Sequence, residues 1–167
     1  MNKTFVIGID PGKNGGIVSL TNGKITTIDA MPSSIEALWS HFEFLGFPNM
    51  ILRKESTYVY IESVHSMPTD GVRSAFTFGH HNGVLDSILV RSNCRVNRIL
   101  PSKWMNYFNL KRDKEKETKY DYKKRLAEQA RIRTPERWKK TLTLKTADAY
   151  LIALYGYNQI KQEEESK

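Results

Sequence analysis

Short apolar runs separated by turn-forming residues mark the strands of this chain. The five predicted strands are Lys3–Ile9, Gly16–Leu20, Lys24–Asp29, Thr57–Glu62 and Cys94–Leu100. The first is an almost continuous apolar run rich in β-branched residues, which is typical of a buried strand. The second and third strands flank Asn22-Gly23, the dipeptide that most strongly favours a two-residue hairpin turn. Pro101 ends the fifth strand because proline cannot continue a ladder of hydrogen bonds.

Apolar residues at helical spacing predict the helices that follow these strands. The helices lie from Ser33 to about Gly46, from Ser74 to about Ser92, around Trp104–Phe108, over Glu117–Arg131 and from about Thr143 to Gln159. Ser33 and Glu36 have the spacing of a capping box. Three strands in hairpin-like order, followed by alternating helices and strands, predict an α/β protein with a mixed five-stranded sheet and helices on both faces. No linker divides residues 1–167, so we expect one domain.

The composition excludes several classes of protein. The chain has 167 residues, of which 40% are hydrophobic, enough for the core of one domain. No run of about 18 apolar residues occurs, so no membrane span is expected, and the N-terminus lacks the pattern of a secretory signal. The single cysteine, Cys94, leaves no internal disulfide and fits a reducing compartment. We therefore expect a cytoplasmic protein.

The net charge of +8 is concentrated in one part of the chain. Residues 111–145, the basic segment, carry 14 Lys and Arg against 6 Asp and Glu and account for the whole excess. A localised positive charge on one domain favours a polyanionic partner, with nucleic acid first. The alternative is a solvated helix face of mixed charge, since acidic residues are interspersed there. The candidate contacts to the DNA backbone are Lys111, Lys114, Lys116, Lys119, Lys123, Lys124 and Arg125.

Three carboxylates stand in apolar surroundings on separate elements. Asp10 ends the first strand, Glu62 ends the fourth, and Asp148 lies in the apolar stripe of the last helix. Each alone is often only a turn former or a cap. A buried carboxylate is unfavourable unless a positive charge meets it, so the three together indicate one shared partner. A divalent metal bound by oxygen ligands is the simplest such partner.

The motifs around these carboxylates resemble those of RuvC-type Holliday junction resolvases, most closely the small phage-encoded branch. They are Gly8-Ile-Asp-Pro-Gly12, Tyr60-Ile-Glu62, Ser74-Ala-Phe-Thr-Phe-Gly-His-His-Asn-Gly83-Val84 and Ala147-Asp-Ala-Tyr-Leu-Ile-Ala153. They occur in the order of the family and span Gly8 to Ala153. The resemblance implies a ribonuclease-H-like fold, a homodimer and metal-dependent cutting of four-way DNA junctions in a bacterial or phage-infected cytosol.

The resemblance also implies a role for each carboxylate. Asp10, Glu62 and Asp148 would bind Mg²⁺, with two ions in each active site and Mn²⁺ able to replace them. Two such ions can activate a water and stabilise the leaving 3′ oxygen during in-line displacement. No organic cofactor is expected, because hydrolysis of a phosphodiester needs no group beyond the metal and water.

Two positions depart from the pattern of the family. Three residues before the last aspartate, relatives usually carry another acid or a histidine, and here Lys145 stands. If both residues are helical, Lys145 faces the same cleft as Asp148. It would then offset the charge of the phosphate or bind DNA just outside the site; alternatively, the alignment shifts and another group supplies the ligand. His65 stands where relatives carry an aromatic residue that stacks on junction bases, and a solvated loop histidine is the alternative.

Rival functions stay open on the sequence alone. A ribonuclease-H-like nuclease with another target, such as an RNA–DNA hybrid or a flap, has the same fold and the same metal ligands. A catalytically silent junction-binding protein is a third possibility, which the presence of Lys145 makes conceivable. Gly79 and Gly83, one turn apart on a predicted helix, permit another helix to approach closely, within the core or across a dimer.

Overall fold

The computed structural model describes residues 3–46, 56–64, 71–92 and 94–166, and within them five strands form one mixed sheet. The strands are β1 (Thr4–Asp10), β2 (Gly16–Thr21), β3 (Lys24–Ala30), β4 (Ser56–Glu62) and β5 (Arg95–Ile99). Their order across the sheet is β3-β2-β1-β4-β5. The hairpin strands pair antiparallel, whereas β4 is parallel to both β1 and β5. The predicted mixed five-stranded sheet is confirmed.

Helices cover both faces of this sheet. They are α1 (Ile35–Phe44), α2 (Val72–Arg91), α3 (Pro101–Tyr107), α4 (Lys119–Ile132), α5 (Glu136–Lys139) and α6 (Ala147–Glu165). One face of the sheet packs against α1 and α2, and the other packs against α3, α4 and α6. No helix among the described residues is both long and apolar enough to cross a membrane.

The central strand β1 contributes to both cores, as its alternating side chains require. Ile7 and Ile9 are fully buried on the side of α1 and α2, and Val6 is fully buried on the side of α6. Gly8 also faces α6, and a Cβ there would overlap the backbone of Ala149 and Ala153. The missing side chain therefore lets α6 lie directly on β1, which fixes the start of α6 near the end of that strand.

The last helix begins later than the sequence pattern predicts. Helix α6 starts at Ala147 rather than near Thr143, because threonine side chains hold the preceding residues in turns. The hydroxyl of Thr146 accepts a hydrogen bond from the backbone N–H of Thr143 at 3.0 Å and donates one to the carbonyl of Thr141 at 3.1 Å. Such bonds compete with helix formation. Lys145 consequently lies in a turn, and the prediction that it shares a helix face with Asp148 is wrong.

Two other helix ends differ from the prediction. Ser34, not Ser33, caps α1, since its hydroxyl accepts a hydrogen bond from the backbone N–H of Ala37 at 3.2 Å. Helix α6 continues to Glu165, beyond the predicted end near Gln159. Its last turns gain an ion pair between Lys161 and Glu164 at 2.8 Å, of the kind that stabilises exposed helix ends modestly.

Candidate active site

The ends of the two central parallel strands place two carboxylates side by side. The pairing of β1 with β4 ends at Ile9 and Ile61, so Asp10 and Glu62 are the next residues of neighbouring strands. Asp10 accepts a hydrogen bond from the backbone N–H of Gly12 at 3.3 Å. The turn after β1 folds back over Asp10 so closely that a Cβ on Gly15 would overlap the Asp10 backbone.

Glu62 is held by a residue that the sequence analysis did not connect with the site. The indole N–H of Trp104, in α3, donates a hydrogen bond to Oε1 of Glu62 at 2.9 Å. Trp104 is fully buried, so its ring also belongs to the core beneath α6. A buried indole N–H needs an acceptor, and here that acceptor is the carboxylate. The sequence shows only a tryptophan beside the basic segment, for which core packing is the default prediction and contact with a DNA strand the alternative.

Asp148 joins the two strand-end acids from above the sheet. It lies in the first turn of α6 and is only 4% exposed. Its Oδ2 accepts a hydrogen bond and ion pair from the ammonium group of Lys123 in α4. Its Oδ1 is buried and has no hydrogen-bond partner among the described residues. The three predicted carboxylates therefore lie near one another at one edge of the sheet, close enough for their charges to interact.

Burial, and after it the repulsion between neighbouring acids, makes the ionisation of Asp10 and Glu62 unfavourable. Burial raises the pKa of Glu62 to about 7, and repulsion from the Asp10 carboxylate adds to the shift. Burial, followed by repulsion from Asp148, raises the pKa of Asp10 to about 6. Burial alone would lower the pKa of Lys123, but attraction to Asp148, Asp10 and Glu62 outweighs it, and the pKa is raised. The site is thus an acidic cluster that contains one positive charge.

One lysine that is predicted to contact the DNA backbone lies within the acidic cluster instead. Lys123 binds Asp148 there, while Lys145 is exposed in the turn before α6 and lines a cleft together with Pro11. The lysine of α4 is separated by 25 residues from the aspartate it binds. A contact between residues so far apart leaves no local sequence pattern, so it could not be predicted.

The remaining predicted DNA contacts fall into three groups. Lys111, Lys114, Lys116, Lys119 and Lys124 are exposed on the basic segment. Arg125 is instead engaged within the protein, donating to Glu117 Oε1 at 2.7 Å and to the carbonyl of Lys111 at 3.1 Å. This pairing ties the first part of the basic segment to α4. His65 lies outside the described residues.

The carboxylate oxygens of Asp10, Glu62 and Asp148 are the kind of ligand that a hard divalent cation prefers. In this structure they are not grouped around one position. Three carboxylates, two with raised pKa values, together with the unpartnered Oδ1 of Asp148, form an oxygen-rich site that needs positive charge. In the described ranges, however, no three His, Cys, Asp or Glu side chains are close enough to hold one ion. The bond between Lys123 and Asp148 supplies part of the charge instead.

The sheet order, with helices on both faces, defines an α/β protein with a ribonuclease-H-like fold. Two solved structures share this fold. RuvC of T. thermophilus in complex with a Holliday junction substrate matches with 14% identity and a TM-score of 0.55, over 95% of this chain and 96% of that one. A second structure of Thermus thermophilus RuvC matches with 16% identity and a TM-score of 0.54, with the same coverage. No protein-family model and no curated protein matches the sequence.

At 14% and 16% sequence identity, the similarity to these two structures establishes that the chain shares their fold. The RuvC-type resemblance seen in the motifs is thereby confirmed at the level of architecture, over nearly the whole chain. Function has to be argued from the site, because one fold supports many activities.

In the absence of divalent ions, replacing one carboxylate of the acidic cluster by a neutral side chain should stabilise the folded protein. A carboxyl group whose pKa is raised on folding holds its proton more tightly in the folded state. The free energy of unfolding therefore falls as the pH rises from about 4 towards about 7. Asp10→Asn should be more stable than wild type at about pH 8, by up to about 2–3 kcal/mol, with the difference vanishing near pH 4.

Urea unfolding in a chelating buffer at several pH values measures this difference. Glu165→Gln, which changes an exposed acid at the end of α6, is the control and should follow the wild type. Equal stability of Asp10→Asn and wild type at high pH would show that the cluster carries no repulsion.

Proposed function

We propose that the protein is a metal-dependent endonuclease that cuts branched DNA, with four-way junctions as the preferred substrate. The observation that carries this proposal is the meeting of Asp10, Glu62 and Asp148 at one edge of the sheet. In support, the same fold occurs in a RuvC that was solved with a Holliday junction substrate. The exposed lysines of the basic segment supply the positive surface that DNA requires.

Asp10, Glu62 and Asp148 would hold the metal, with Mg²⁺ as the expected ion and Mn²⁺ as its replacement. When bound, such ions activate a water and stabilise the leaving oxygen of a phosphodiester. The protein orients the ligands through the hydrogen bonds from Gly12 to Asp10 and from Trp104 to Glu62. Bonds of this type fix the direction of a ligand and raise its affinity for metal.

Lys123 would supply positive charge beside the reacting phosphate. Its ammonium group already lies within the acidic cluster, so a phosphate that approached Asp148 would meet it. Fixed charges placed where negative charge develops in the transition state are among the largest contributors to catalysis. This is the role that the sequence analysis considered for Lys145.

One observation favours the silent junction-binding alternative. Lys123 occupies Oδ2 of Asp148, and the described part of the chain groups no three donors around one position. A site neutralised permanently by its own lysine would bind DNA without cutting it. Cleavage assays separate this alternative from the proposed nuclease.

Helix α2 carries an apolar face that points away from the rest of the chain. Val72, Phe76 and Val90 are 88%, 75% and 82% exposed. Gly79 and Gly83 share this face, and no described atom lies within 4 Å of where a Cβ would stand on either. The spacing of these positions follows one side of a helix, and glycines allow a second helix to approach closely. We therefore propose that two copies of the chain pair through α2.

A junction cleavage assay tests the proposed activity. With Mg²⁺ or Mn²⁺, the protein should make paired, symmetric nicks in a synthetic four-way junction and leave a linear duplex of matched sequence intact. Asp148→Asn should slow cleavage by more than about 100-fold, because it removes a charged ligand rather than a group that merely orients one. Tight junction binding without cutting in either metal would contradict the nuclease and establish the silent alternative.

Lys123→Met should slow cleavage with little change in affinity for the junction. The loss of a fixed charge beside the reacting phosphate predicts a decrease in single-turnover rate on the order of 100-fold. Lys119→Met, one turn earlier on α4 and exposed, is the matched control. Lys119→Met should cleave at the wild-type rate when protein is saturating. Its binding should depend less on salt, with the slope of log K against log salt concentration smaller by about 0.9. Unchanged cleavage by Lys123→Met would exclude the lysine from the reaction.

Phe76→Glu should convert a dimer into a monomer. A charge at the centre of the α2 face would have to be buried without a partner in the dimer. Light scattering with size-exclusion chromatography reads the mass directly. Phe44→Glu is a closely matched control, since Phe44 is 76% exposed but lies on α1. A wild-type protein that is already monomeric at micromolar concentration contradicts the proposed pairing.

A further inference from the structure

A cleft of about 630 Å³ opens beside the acidic cluster. It lies between the turn that joins β1 to β2, the connection from β3 to α1, the first half of α2 and the turn before α6. Pro11, which directly follows Asp10, forms part of its wall, and so does Lys145, three residues before Asp148. The start of β2 lies close to the turn before α6, since a Cβ on Gly16 would lie 3.2 Å from the carbonyl oxygen of Lys145. The cleft and the cluster therefore share two segments of the chain.

The rim of this cleft is positively charged. Lys13, Arg73 and Lys145 line it, and no Asp or Glu does so among the described residues. No ion pair joins any of these three cations to another described side chain. The acidic cluster and the cationic rim are thus adjacent regions of opposite charge. Three unneutralised cations in one concave surface attract a phosphate or a phosphodiester.

The interior of the cleft is apolar and partly aromatic. Phe78 lines it on the cleft side of α2, together with Met31 and Pro32 from the connection that follows β3. His81, one turn beyond Phe78, has a buried Nδ1 without a hydrogen-bond partner in the described structure. A flat apolar ring suits stacking on a base.

Only an unpaired nucleotide can use these features together. A base in a duplex is stacked on both sides and paired at its edge, so it has to leave the helix before it reaches an aromatic side chain inside a cleft. Strand-exchange points are the places in branched DNA where bases most readily lose these partners. The combination of a cationic rim and an aromatic interior therefore matches a nucleotide rather than a free anion.

We propose that this cleft binds one unpaired nucleotide of branched DNA, beside the phosphate that is placed at the acidic cluster. Lys13, Arg73 and Lys145 contact its phosphates, and Phe78 stacks on its base. This proposal rests on the proposed function and adds a basis for its substrate preference. A strand enters the site readily only where it can release a nucleotide into the cleft. A continuous duplex has no unpaired nucleotide to release.

Binding of fluorescent DNA in a chelating buffer tests this proposal without cleavage. The probe is a four-way junction that carries 2-aminopurine, a fluorescent adenine analogue, at the exchange point. A linear duplex with the same label is the comparison substrate. Wild-type protein should change the emission of the junction and not that of the duplex. Phe78→Leu, which keeps an apolar side chain but removes the ring, should abolish this change and weaken junction binding about 5- to 100-fold, with duplex binding unaltered.

A charge variant tests the rim independently of the ring. The double substitution Lys13→Gln with Lys145→Gln should lower the salt slope of junction binding by about 1.4, the value for two contacts to single-stranded DNA. Lys161→Gln, which removes an exposed charge near the end of α6, is the control and should bind DNA like the wild type. Circular dichroism confirms that each variant is folded.

The outcomes distinguish this proposal from the function on which it rests. A wild-type protein that binds junction and duplex equally overturns the proposed function and the cleft proposal with it. Preference for the junction in both wild type and Phe78→Leu, with the same emission change, overturns the cleft proposal alone. Equal weakening of junction and duplex by Phe78→Leu also overturns it, because the ring would then support the fold or general backbone binding.

Discussion

The burial of three neighbouring carboxylates at one edge of the sheet is the constraint on which the rest of this structure depends. The packing of the core brings Asp10, Glu62 and Asp148 together. The burial of apolar side chains favours this packing, although the three negative charges oppose it. The packing dominates because Gly8 lets α6 rest directly on β1, so Asp148 has no freedom to move away. The protein supplies one cation of its own, Lys123, and leaves the remaining charge for a ligand to neutralise.

The exposed lysines of the basic segment and the cationic rim are two positive regions, and Lys145 of the rim lies three residues before Asp148 of the cluster. In the proposed function, both regions attract the phosphates of a nucleic acid strand, and the acids repel them. A divalent ion at the acids would remove this repulsion, so binding of the strand and binding of the metal would support each other.

Much of this arrangement could be predicted from the sequence, and the failures have physical causes. The strand-end positions of Asp10 and Glu62 follow from strand periodicity, and the sheet follows from hairpin signals and apolar runs. Lys145 was misplaced because Thr143 and Thr146 bind the backbone and delay the helix by one turn. The contacts of Lys123 with Asp148 and of Trp104 with Glu62 join residues 25 and 42 positions apart, and only the folded chain brings such pairs together.

Helix α4 joins the exposed lysines of the basic segment directly to the acidic cluster. Lys119 and Lys124 are exposed on this helix, and Lys123 extends from the same 14-residue rigid element to Asp148. The bonds from Arg125 to Glu117 and to the carbonyl of Lys111 fasten the preceding loop to it as well. Because these three lysines stand on one helix, a strand bound to the outer lysines in the proposed function would also shift the ammonium group at the acids. The position of the strand would then determine how firmly Asp148 keeps its internal counter-ion.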